Sequence, residues 1–234
     1  MPLTALTDRG CLRRRNEDAV AVDDALGLAA LADGMGGLPD GDLASREAVA
    51  AALAWLKAMD DGGHDALARA VLAANARVRA LAEERGAVMG TTLELLALDG
   101  DGACRLAHVG DSRAYLWRDG RLSRLTRDDS LVQELVDRGA MNADEAARSP
   151  QRNVITRAVG LEAHVEPALM RVTLARDDLL LLCSDGLWDM LDDAGIAAHL
   201  EAAGGDLPRC AAALVAAAND AGGADNIAVV LARR

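Results

Sequence analysis

The sequence predicts a single α+β domain in which helices pack on antiparallel sheet. Two observations carry this prediction. Short apolar runs alternate with turns rich in glycine and aspartate, which is typical of buried strands joined by tight turns. Four longer segments repeat apolar residues at helical spacing and come in two consecutive pairs, as expected of helices that cover a sheet. At 234 residues without an obvious linker, the chain can bury one sizeable core.

The composition narrows the classes of function. Apolar residues make up 51% of the chain, but there is no phenylalanine and one tyrosine, so the core must be built from small aliphatic side chains. The formal charge of −12 argues against binding to nucleic acids or to anionic membranes. Lys57 is the only lysine and no Gly-rich loop precedes it, so a P-loop nucleotide site is disfavoured.

The cysteines and the N-terminus bear on location. The cysteines form no C-x-x-C pair and lie in or beside apolar runs, so we expect buried free thiols in a reducing compartment. They are Cys11, Cys104, Cys183 and Cys210. The first residues lack a signal-peptide pattern, and no apolar run is long enough to cross a bilayer. The sequence therefore predicts a cytoplasmic protein without membrane contact.

The first third of the chain predicts three strands and two helices. Strands are predicted at residues 3–8 and 19–23, and an apolar run from residue 28 ends at Asp33. Three glycines follow Asp33 within four residues, which indicates a tight turn. Amphipathic patterns then predict consecutive helices at residues 41–60 and 64–84, and we expect this pair to form a layer on a sheet.

The period of the apolar pattern changes in the middle of the chain. Short runs separated by turn residues predict an antiparallel meander of four strands, at residues 91–98, 104–109, 114–117 and 122–125. The polar and partly helical segment 128–160 follows. We expect this segment to form a mobile excursion over the functional site.

The last third of the chain returns to sheet and helix. Strands are predicted at residues 169–174 and 178–183, and the second is the strongest buried strand in the sequence. Helical patterns follow at residues 192–203 and 206–219. A core strand at residues 227–231 closes the chain.

Four aspartates lie where a predicted buried strand meets a turn, and each has a glycine within two residues. They are Asp33, Asp111, Asp185 and Asp225. One such aspartate is an ordinary turn residue, but four in one domain predict carboxylates that converge and repel unless cations or protons compensate. Oxygen-only ligands favour Mg²⁺ or Mn²⁺ over zinc. Two such ions can share a carboxylate and bridge a hydroxide that attacks phosphorus in line.

A charged segment between the first two strands bears on the same site. Arg13 lies three residues before the sequence Asn16-Glu17-Asp18. The segment is either a solvated loop with local ion pairs or a guanidinium placed beside the carboxylates. A metal site that handles phosphate would use both groups, because guanidinium binds phosphate in a bidentate manner.

Other chemistries fit the sequence less well. Ser184 and Cys183 lie beside Asp185, but no histidine is in a recognisable base context for a nucleophile. His108 lies in an apolar run and is interpreted as a packed core residue. No His/Cys pair has the spacing of zinc ligands.

Six motifs, in order, resemble those of the metal-dependent protein phosphatases of the PP2C type, in particular the small stand-alone bacterial members. They are R-x-x-N-E-D at residues 13–18, D-G-M-G-G at 33–37, G-T-T at 90–92, G-D-S-R-A-Y at 110–115, S-D-G-L-W-D at 184–189 and D-N at 225–226. Any one of these motifs is weak. All six occur in family order, which argues against chance agreement. The resemblance covers essentially the whole chain.

The resemblance implies a four-layer α-β-β-α sandwich, in which two antiparallel sheets pack face to face and helix pairs lie outside. It also implies a single phosphatase domain over residues 1–234. The metals would lie in a cleft at one edge of the sandwich. Segment 128–160 would contain the flap of the family.

The resemblance further implies a role for each site residue. Asp33 would bridge two metal ions and the hydroxide, and the carbonyl of Gly34 would complete one shell. Asp185 and Asp225 would hold the other ion. The remaining implied residues are Asp18, acting on the first ion mainly through water; Glu17, a ligand in some relatives; Asp111, sharing a third, weaker metal with Asp185; and Arg13, binding the substrate phosphate.

Three positions depart from the pattern of the wider family. Met35 stands where animal relatives carry a histidine proposed as the general acid, so another group must protonate the leaving group. Asp129 and Ser149 replace histidines expected in the flap segment. We expect these two substitutions to alter substrate preference without touching the metal ligands.

The resemblance implies a protein serine/threonine phosphatase with two Mn²⁺ or Mg²⁺ ions. Its partners would be phosphorylated proteins, a cognate Ser/Thr kinase and the substrates of that kinase, and we expect a monomer. Two alternatives stay open. The chain could be a catalytically weak relative that binds phosphoproteins, or a hydrolase of small phosphoesters.

Overall fold

The computed structural model describes residues 1–38, 40–59, 65–100 and 102–234. It contains two five-stranded antiparallel sheets with helices on both outer faces, so the predicted four-layer α+β fold is confirmed. Sheet 1 has the order β1-β10-β9-β6-β7. Its strands are β1 (Leu3–Asp8), β6 (Arg113–Arg118), β7 (Arg121–Arg124), β9 (Leu179–Cys183) and β10 (Ile227–Arg233).

Sheet 2 has the order β2-β3-β4-β5-β8. Its strands are β2 (Asp18–Asp23), β3 (Leu28–Asp33), β4 (Leu93–Leu98), β5 (Ala103–Val109) and β8 (Ala168–Thr173). Asp18 is directly opposite Asp33 in the β2–β3 pair, because the strands run antiparallel and the first residue of β2 pairs with the last residue of β3. The sheet therefore delivers two carboxylates to one point.

Seven helices occur in the described part of the chain. They are α1 (Gly41–Ala58), α2 (Ala66–Arg85), α3 (Leu131–Asp137), α4 (Ala143–Arg148), α5 (Asp185–Trp188), α6 (Asp193–Ala202) and α7 (Leu207–Asp220). α1 and α2 pack on sheet 2, whereas α5 to α7 pack on sheet 1. The predicted end of the first helix at residue 60 and start of the second at residue 64 lie outside the described residues. The short α5 has no counterpart in the sequence prediction.

Three apolar layers hold the sandwich together. Along β9, Leu180 and Leu182 face the other sheet, whereas Leu179 and Leu181 face the helices. This alternation follows from the two-residue period of a strand. Both sets are buried because sheet 1 is covered on both faces, which explains why β9 reads as a continuous apolar run.

The predicted meander is wrong in one respect. β4 pairs with β5 and β6 pairs with β7, but the two hairpins belong to different sheets. The chain crosses from sheet 2 to sheet 1 at Gly110, whose φ of 110° is available to glycine at little cost. A Cβ on Gly110 would also lie 2.6 Å from the Thr92 side chain. The crossing places Asp111 between the sheets instead of in a hairpin turn.

Two further sequence expectations can be compared with the structure. Three of the cysteines are buried, but Cys11 is exposed because its loop runs along the surface, where its amide donates to the carbonyl of Gly223 at 2.8 Å. Among the described residues, no helix is both long and apolar enough to cross a bilayer.

Candidate metal centre

The four aspartates predicted to converge line one cleft of about 470 Å³. Asp33 ends β3, Asp185 follows β9, Asp225 precedes β10, and Asp111 lies at the crossing between the sheets. The same cleft is lined by Arg13, Glu17 and Gly34. The cleft therefore contains all of the predicted site residues except Asp18, which is buried beside Asp33.

The backbone around Asp33 is fixed by the threonines of the G-T-T motif. The Asp33 amide donates to Oγ1 of Thr92 at 2.9 Å, and the Asp33 carbonyl accepts from the Thr92 amide at 2.9 Å. The hydroxyl of Thr91 donates to the same carbonyl at 2.8 Å. Three hydrogen bonds thus hold the backbone on both sides of the Cα atom that carries the Asp33 carboxylate.

Gly34 occupies a position that no side chain can share. Its amide donates to the carbonyl of Glu17 at 3.1 Å. A Cβ at residue 34 would lie 2.3 Å from the carbonyl oxygen of Gly41 and 2.7 Å from that of Glu17. The glycine is needed because the start of α1 crosses directly behind the turn.

Asp18 is held by a serine from the other sheet. The hydroxyl of Ser184 donates to Oδ2 of Asp18 at 2.7 Å and accepts from the amide of Ala228 at 2.9 Å. Among the described residues, the other carboxylate oxygen of Asp18, Oδ1, is buried without a hydrogen-bond partner, as is Oε2 of Glu17. Buried oxygens of this kind call for a donor or a cation.

Burial and mutual repulsion raise the pKa of the clustered carboxyls. Burial raises the pKa of Asp18 to about 7, although the hydrogen bond from Ser184 opposes the shift. Burial and the charge of Asp225 raise the pKa of Asp185 to about 7. Burial and the charge of Asp185 raise the pKa of Asp111 to about 8. For Asp33, burial and the surrounding aspartates raise the pKa well above its usual range.

These residues fit divalent cations. The donor set consists of carboxylate and carbonyl oxygens, which hard cations such as Mg²⁺ and Mn²⁺ prefer. Nearby positive charge would relieve the repulsion that now favours protonation, and the unpartnered oxygens of Glu17 and Asp18 point to the same need. Within the described ranges, no three acidic, histidine or cysteine side chains form a finished coordination shell, so the donors line the cleft without closing on one point.

Arg13 is the cation of the cleft. Its Nη2 lies 2.5 Å from Oδ2 of Asp225, and its Nη1 lies next to the backbone of Gly36. The guanidinium is 43% exposed, so it can reach an incoming anion. This geometry places Arg13, the residue predicted to bind phosphate, at the mouth of the carboxylate cluster.

Comparisons with known proteins identify the family of the chain. Residues 13–221 match the protein phosphatase 2C family. The chain belongs to that family. It is 43% identical over 234 residues to the serine/threonine protein phosphatase PstP of Mycobacterium tuberculosis, covering 97% of this chain and 44% of PstP. This chain therefore spans less than half the length of the mycobacterial relative.

One more protein and one solved catalytic domain match along most of their length. The protein phosphatase PhpP of Streptococcus pneumoniae is 38% identical, with 99% of this chain and 96% of PhpP covered. The crystal structure of the catalytic domain of PstP in complex with two manganese ions has a TM-score of 0.86 at 40% identity. The comparison covers 99% of this chain and 97% of that one. The predicted family is confirmed.

In this PP2C domain, Asp129 lies closer to the metal site than the sequence indicated. Its Oδ2 accepts from the amide of Gly110 at 3.0 Å, and its Oδ1 pairs with Nη1 of Arg157 at 2.9 Å. Asp129 thus supports the turn that carries Asp111. Ser149 directly follows the last residue of α4, and its hydroxyl accepts a hydrogen bond from the amide of Gln151 at 3.2 Å.

The interpretation of His108 is partly confirmed. His108 is fully buried, as expected, and lies on the face of β5 that also carries Cys104 and Leu106 in the layer between the two sheets. It is paired there through Nδ1 with the equally buried Glu94 across β4 and β5, and its Nε2 contacts the carbonyl of Arg127 at 2.9 Å. Burial lowers the pKa of His108, but the charge of Glu94 outweighs this and raises it to about 9.

Sequence reasoning missed the residues that orient the ligands. Thr92, Ser184 and Asn226 were seen only as parts of motifs, yet each fixes a predicted ligand or its loop. The side chain of Asn226 accepts from the Glu17 amide and donates to the carbonyls of Arg9 and Arg15, each at 2.8 Å. The sequence signal was that Ser184 and Asn226 each stand directly beside a predicted ligand, whereas Thr92 has no aspartate next to it.

Proposed function

We propose that this PP2C domain is a metal-dependent protein serine/threonine phosphatase. The observation that carries the proposal is the convergence of Asp33, Asp111, Asp185 and Asp225 in one cleft with Arg13 at its mouth. Carboxylates supply the ligands for divalent cations, and a guanidinium supplies a fork for phosphate. The relatives named serine/threonine phosphatases support the same activity.

The residues that would hold Mn²⁺ or Mg²⁺ follow from the cleft. Asp33 would bridge two ions, the carbonyl of Gly34 would bind one of them, and Asp185 and Asp225 would bind the other. Asp18 would act on the first ion through water, and Asp111 would share a third, weaker site with Asp185. When bound, such ions supply Lewis-acid polarisation of the phosphoryl group and an activated water.

The chain's own side chains would position the phosphoester. Arg13 would bind the phosphate oxygens and hold the phosphorus over the carboxylate cluster. This orientation would fix the direction from which the phosphorus is attacked. Ser184 keeps Asp18 in place by its hydrogen bond. Met35 lines the cleft but has no proton to donate, so the departing serine or threonine must take its proton from another group.

Several finer features stay predictions for this chain. We infer a single phosphatase domain over residues 1–234 that acts as a monomer in the cytoplasm. Its substrates would be phosphorylated proteins, among them a cognate Ser/Thr kinase and the targets of that kinase. Size-exclusion chromatography with light scattering tests the monomer, and phosphoproteome comparison after gene deletion tests the partners.

The function is tested with Asp33→Asn and Asp225→Asn, which keep size but remove one charge from the ligand set. We expect each change to lower phosphate release from a phosphothreonine peptide in Mn²⁺ buffer by at least about 1,000-fold, since electrostatic stabilisation supplies much of the rate. Asp177→Asn, a change at an exposed carboxylate paired with Arg233, is the control. Full activity in either site variant would contradict the metal mechanism.

The same assay separates the two alternatives. A phosphoprotein-binding relative would bind the phosphopeptide without releasing phosphate, and calorimetry would detect no Mn²⁺ binding. A small-phosphoester hydrolase would turn over phosphorylated metabolites much faster than phosphopeptides. The proposed function requires phosphopeptide turnover that depends on Mn²⁺ or Mg²⁺.

A further inference from the structure

Three consecutive arginines form a basic edge beside the cleft of an acidic protein. We call residues 13–15 the arginine rim. The chain as a whole carries a formal charge of −12, so a run of three positive charges is exceptional on its surface. Arg13 lines the cleft itself, and Arg14 and Arg15 follow it directly along the exposed loop.

The backbone of the arginine rim is held on both sides. Before the rim, the amides of Cys11 and Leu12 donate to the carbonyl of Gly223 at 2.8 and 3.2 Å. At its end, Nδ2 of Asn226 donates to the carbonyl of Arg15 at 2.8 Å. The loop is therefore fixed against the turn that carries Asp225, while the side chains of Arg14 and Arg15 are exposed. A fixed backbone lowers the entropy lost when the side chains bind a ligand.

The three arginines differ in their partners. The guanidinium of Arg13 pairs with Asp225 at the cleft. Arg14 and Arg15 are exposed, and neither side chain has an ion pair or hydrogen bond with the residues that the structure describes, although the charge of Arg15 acts at longer range on Glu17 and Asp40. Among the described residues, most of the other arginines that form an ion pair or a hydrogen bond do so with an acidic side chain. Two unpartnered guanidinium groups beside an active-site cleft are thus available to an external anion.

We propose that Arg14 and Arg15 bind an anionic group, a carboxylate or a second phosphate, that lies a few residues from the phosphorylated residue of the substrate. This assignment rests on the proposed phosphatase function and adds a substrate class to it. A peptide whose phosphate reaches Arg13 can place a flanking residue beside Arg14 or Arg15, because these residues follow Arg13 directly in the chain. The acidic remainder of the surface repels such a peptide elsewhere, which favours this edge.

The test uses phosphothreonine peptides that differ only in their flanks. One peptide carries glutamates on both sides of the phosphothreonine, a second carries glutamines of the same shape, and a third carries a second phosphothreonine in place of the glutamates. The value of kcat/KM is measured for each in Mn²⁺ buffer at low and at high ionic strength. We expect the two anionic peptides to exceed the glutamine peptide about fivefold at low salt, the size of one exposed charge interaction. We expect the preference to shrink at high salt.

The variant is the double change Arg14→Ser/Arg15→Ser. Its matched control is Arg121→Ser/Arg176→Ser, which removes two charges from exposed residues at the end of sheet 1 away from the cleft, where Arg121 begins β7 and Arg176 precedes β9. We expect the rim variant to reduce the ratio of anionic to neutral peptide to about one, while the control keeps the wild-type ratio. A carboxylate preference and a phosphate preference are read separately from the two anionic peptides.

The outcomes separate the two levels of the proposal. If the wild type hydrolyses all three peptides equally, or if the control loses the preference as the rim variant does, the assignment of Arg14 and Arg15 is wrong and the phosphatase function stands. If the wild type releases phosphate from none of the peptides, the proposed function fails and this assignment fails with it.

Discussion

At the residue scale, the site depends on small polar side chains that connect distant parts of the chain. Ser184 and Asp18 are 166 residues apart in sequence yet share a 2.7 Å hydrogen bond. The aspartates themselves could be predicted, because a carboxylate at the end of a buried run beside a glycine is visible in the sequence. The residues that bond to these aspartates could not be predicted, because the sequence does not show which distant carboxylate a hydroxyl will contact.

Ser184→Ala tests whether such a support matters. The change leaves the Asp18 carboxylate without its donor and the Ala228 amide without its acceptor. We expect Mn²⁺ affinity, read from the Mn²⁺ dependence of phosphate release, to fall about tenfold, as for other residues that orient metal ligands.

The control for this prediction is Ser45→Ala, which removes a fully buried hydroxyl from α1 that bonds only the carbonyl of Asp42. Isothermal titration calorimetry gives an independent value for Mn²⁺ binding. Equal Mn²⁺ affinity in the two variants would mean that Ser184 has no part in orienting Asp18.

At the scale of elements, one cluster joins the start of segment 128–160 to strands and a helix that frame the site. Asp128, just before α3, accepts from Arg113 on β6 at 2.8 Å and from Arg124 on β7 at 2.5 Å. The guanidinium of Arg113 lies 3.5 Å from the ring centroid of Trp188 on α5. The start of segment 128–160 is thus connected to the helix that begins at Asp185.

Asp128→Asn tests this cluster. The carboxylate is 8% exposed, and its loss leaves two partly buried guanidinium groups without a counter-charge. We expect the free energy of unfolding to fall by about 3 kcal/mol, the range for breaking a buried ion pair. Urea unfolding of the metal-free protein measures the change.

Glu134→Gln is the comparison for Asp128→Asn, because Glu134 pairs with Arg138 on the exposed face of α3. Its removal should cost less than about 0.5 kcal/mol, as for exposed helical pairs. If both substitutions cost the same, the cluster around Asp128 contributes no more than a surface pair.

Element positions could be predicted better than their sheet assignment. The predicted strands agree with the observed ones to within two residues at nearly every end, because apolar runs and turn residues mark the boundaries. The meander failed because β5 and β6 have the same pattern whether they pair or separate. The crossing at Gly110 is decided by the packing of the two sheets, which no local signal records.

At the scale of the whole molecule, the raised pKa values of the aspartates link stability to pH. Asp18 and Asp185 keep their protons up to about pH 7, and Asp111 up to about pH 8, whereas an unfolded aspartate loses its proton near pH 4. Between these limits the folded state binds more protons than the unfolded state. The free energy of unfolding of the metal-free protein therefore falls as pH rises through this window.

Calorimetry in EDTA between pH 5.5 and 8.5 tests this linkage. We expect Tm to fall by several degrees with rising pH, since about 1 kcal/mol shifts Tm by about 2–4 °C in a chain of this size. At pH 8, added Mn²⁺ should raise Tm, because a ligand that binds the folded state stabilises it. Asp33→Asn should show a shallower pH dependence. A Tm that rises with pH in EDTA, or that ignores Mn²⁺, would contradict the assignment.

The four-layer architecture was predicted through family resemblance more than through local pattern. The apolar run of β9 shows that a sheet is covered on both faces, but it does not say whether helices or a second sheet cover each one. The three apolar layers of the folded structure show which face of each sheet is covered by helices and which by the other sheet.

The placement of the ligands on two sheets has a further consequence. Asp18 and Asp33 belong to sheet 2, whereas Asp185 and Asp225 flank strands of sheet 1. The distance between these pairs is set by side chains such as Leu31 and Leu182 in the central layer, well inside the sandwich. Leucine-to-valine exchanges there would leave space between the sheets and allow them to shift. A substitution hidden in the interior can thus change metal binding without altering any residue of the cleft.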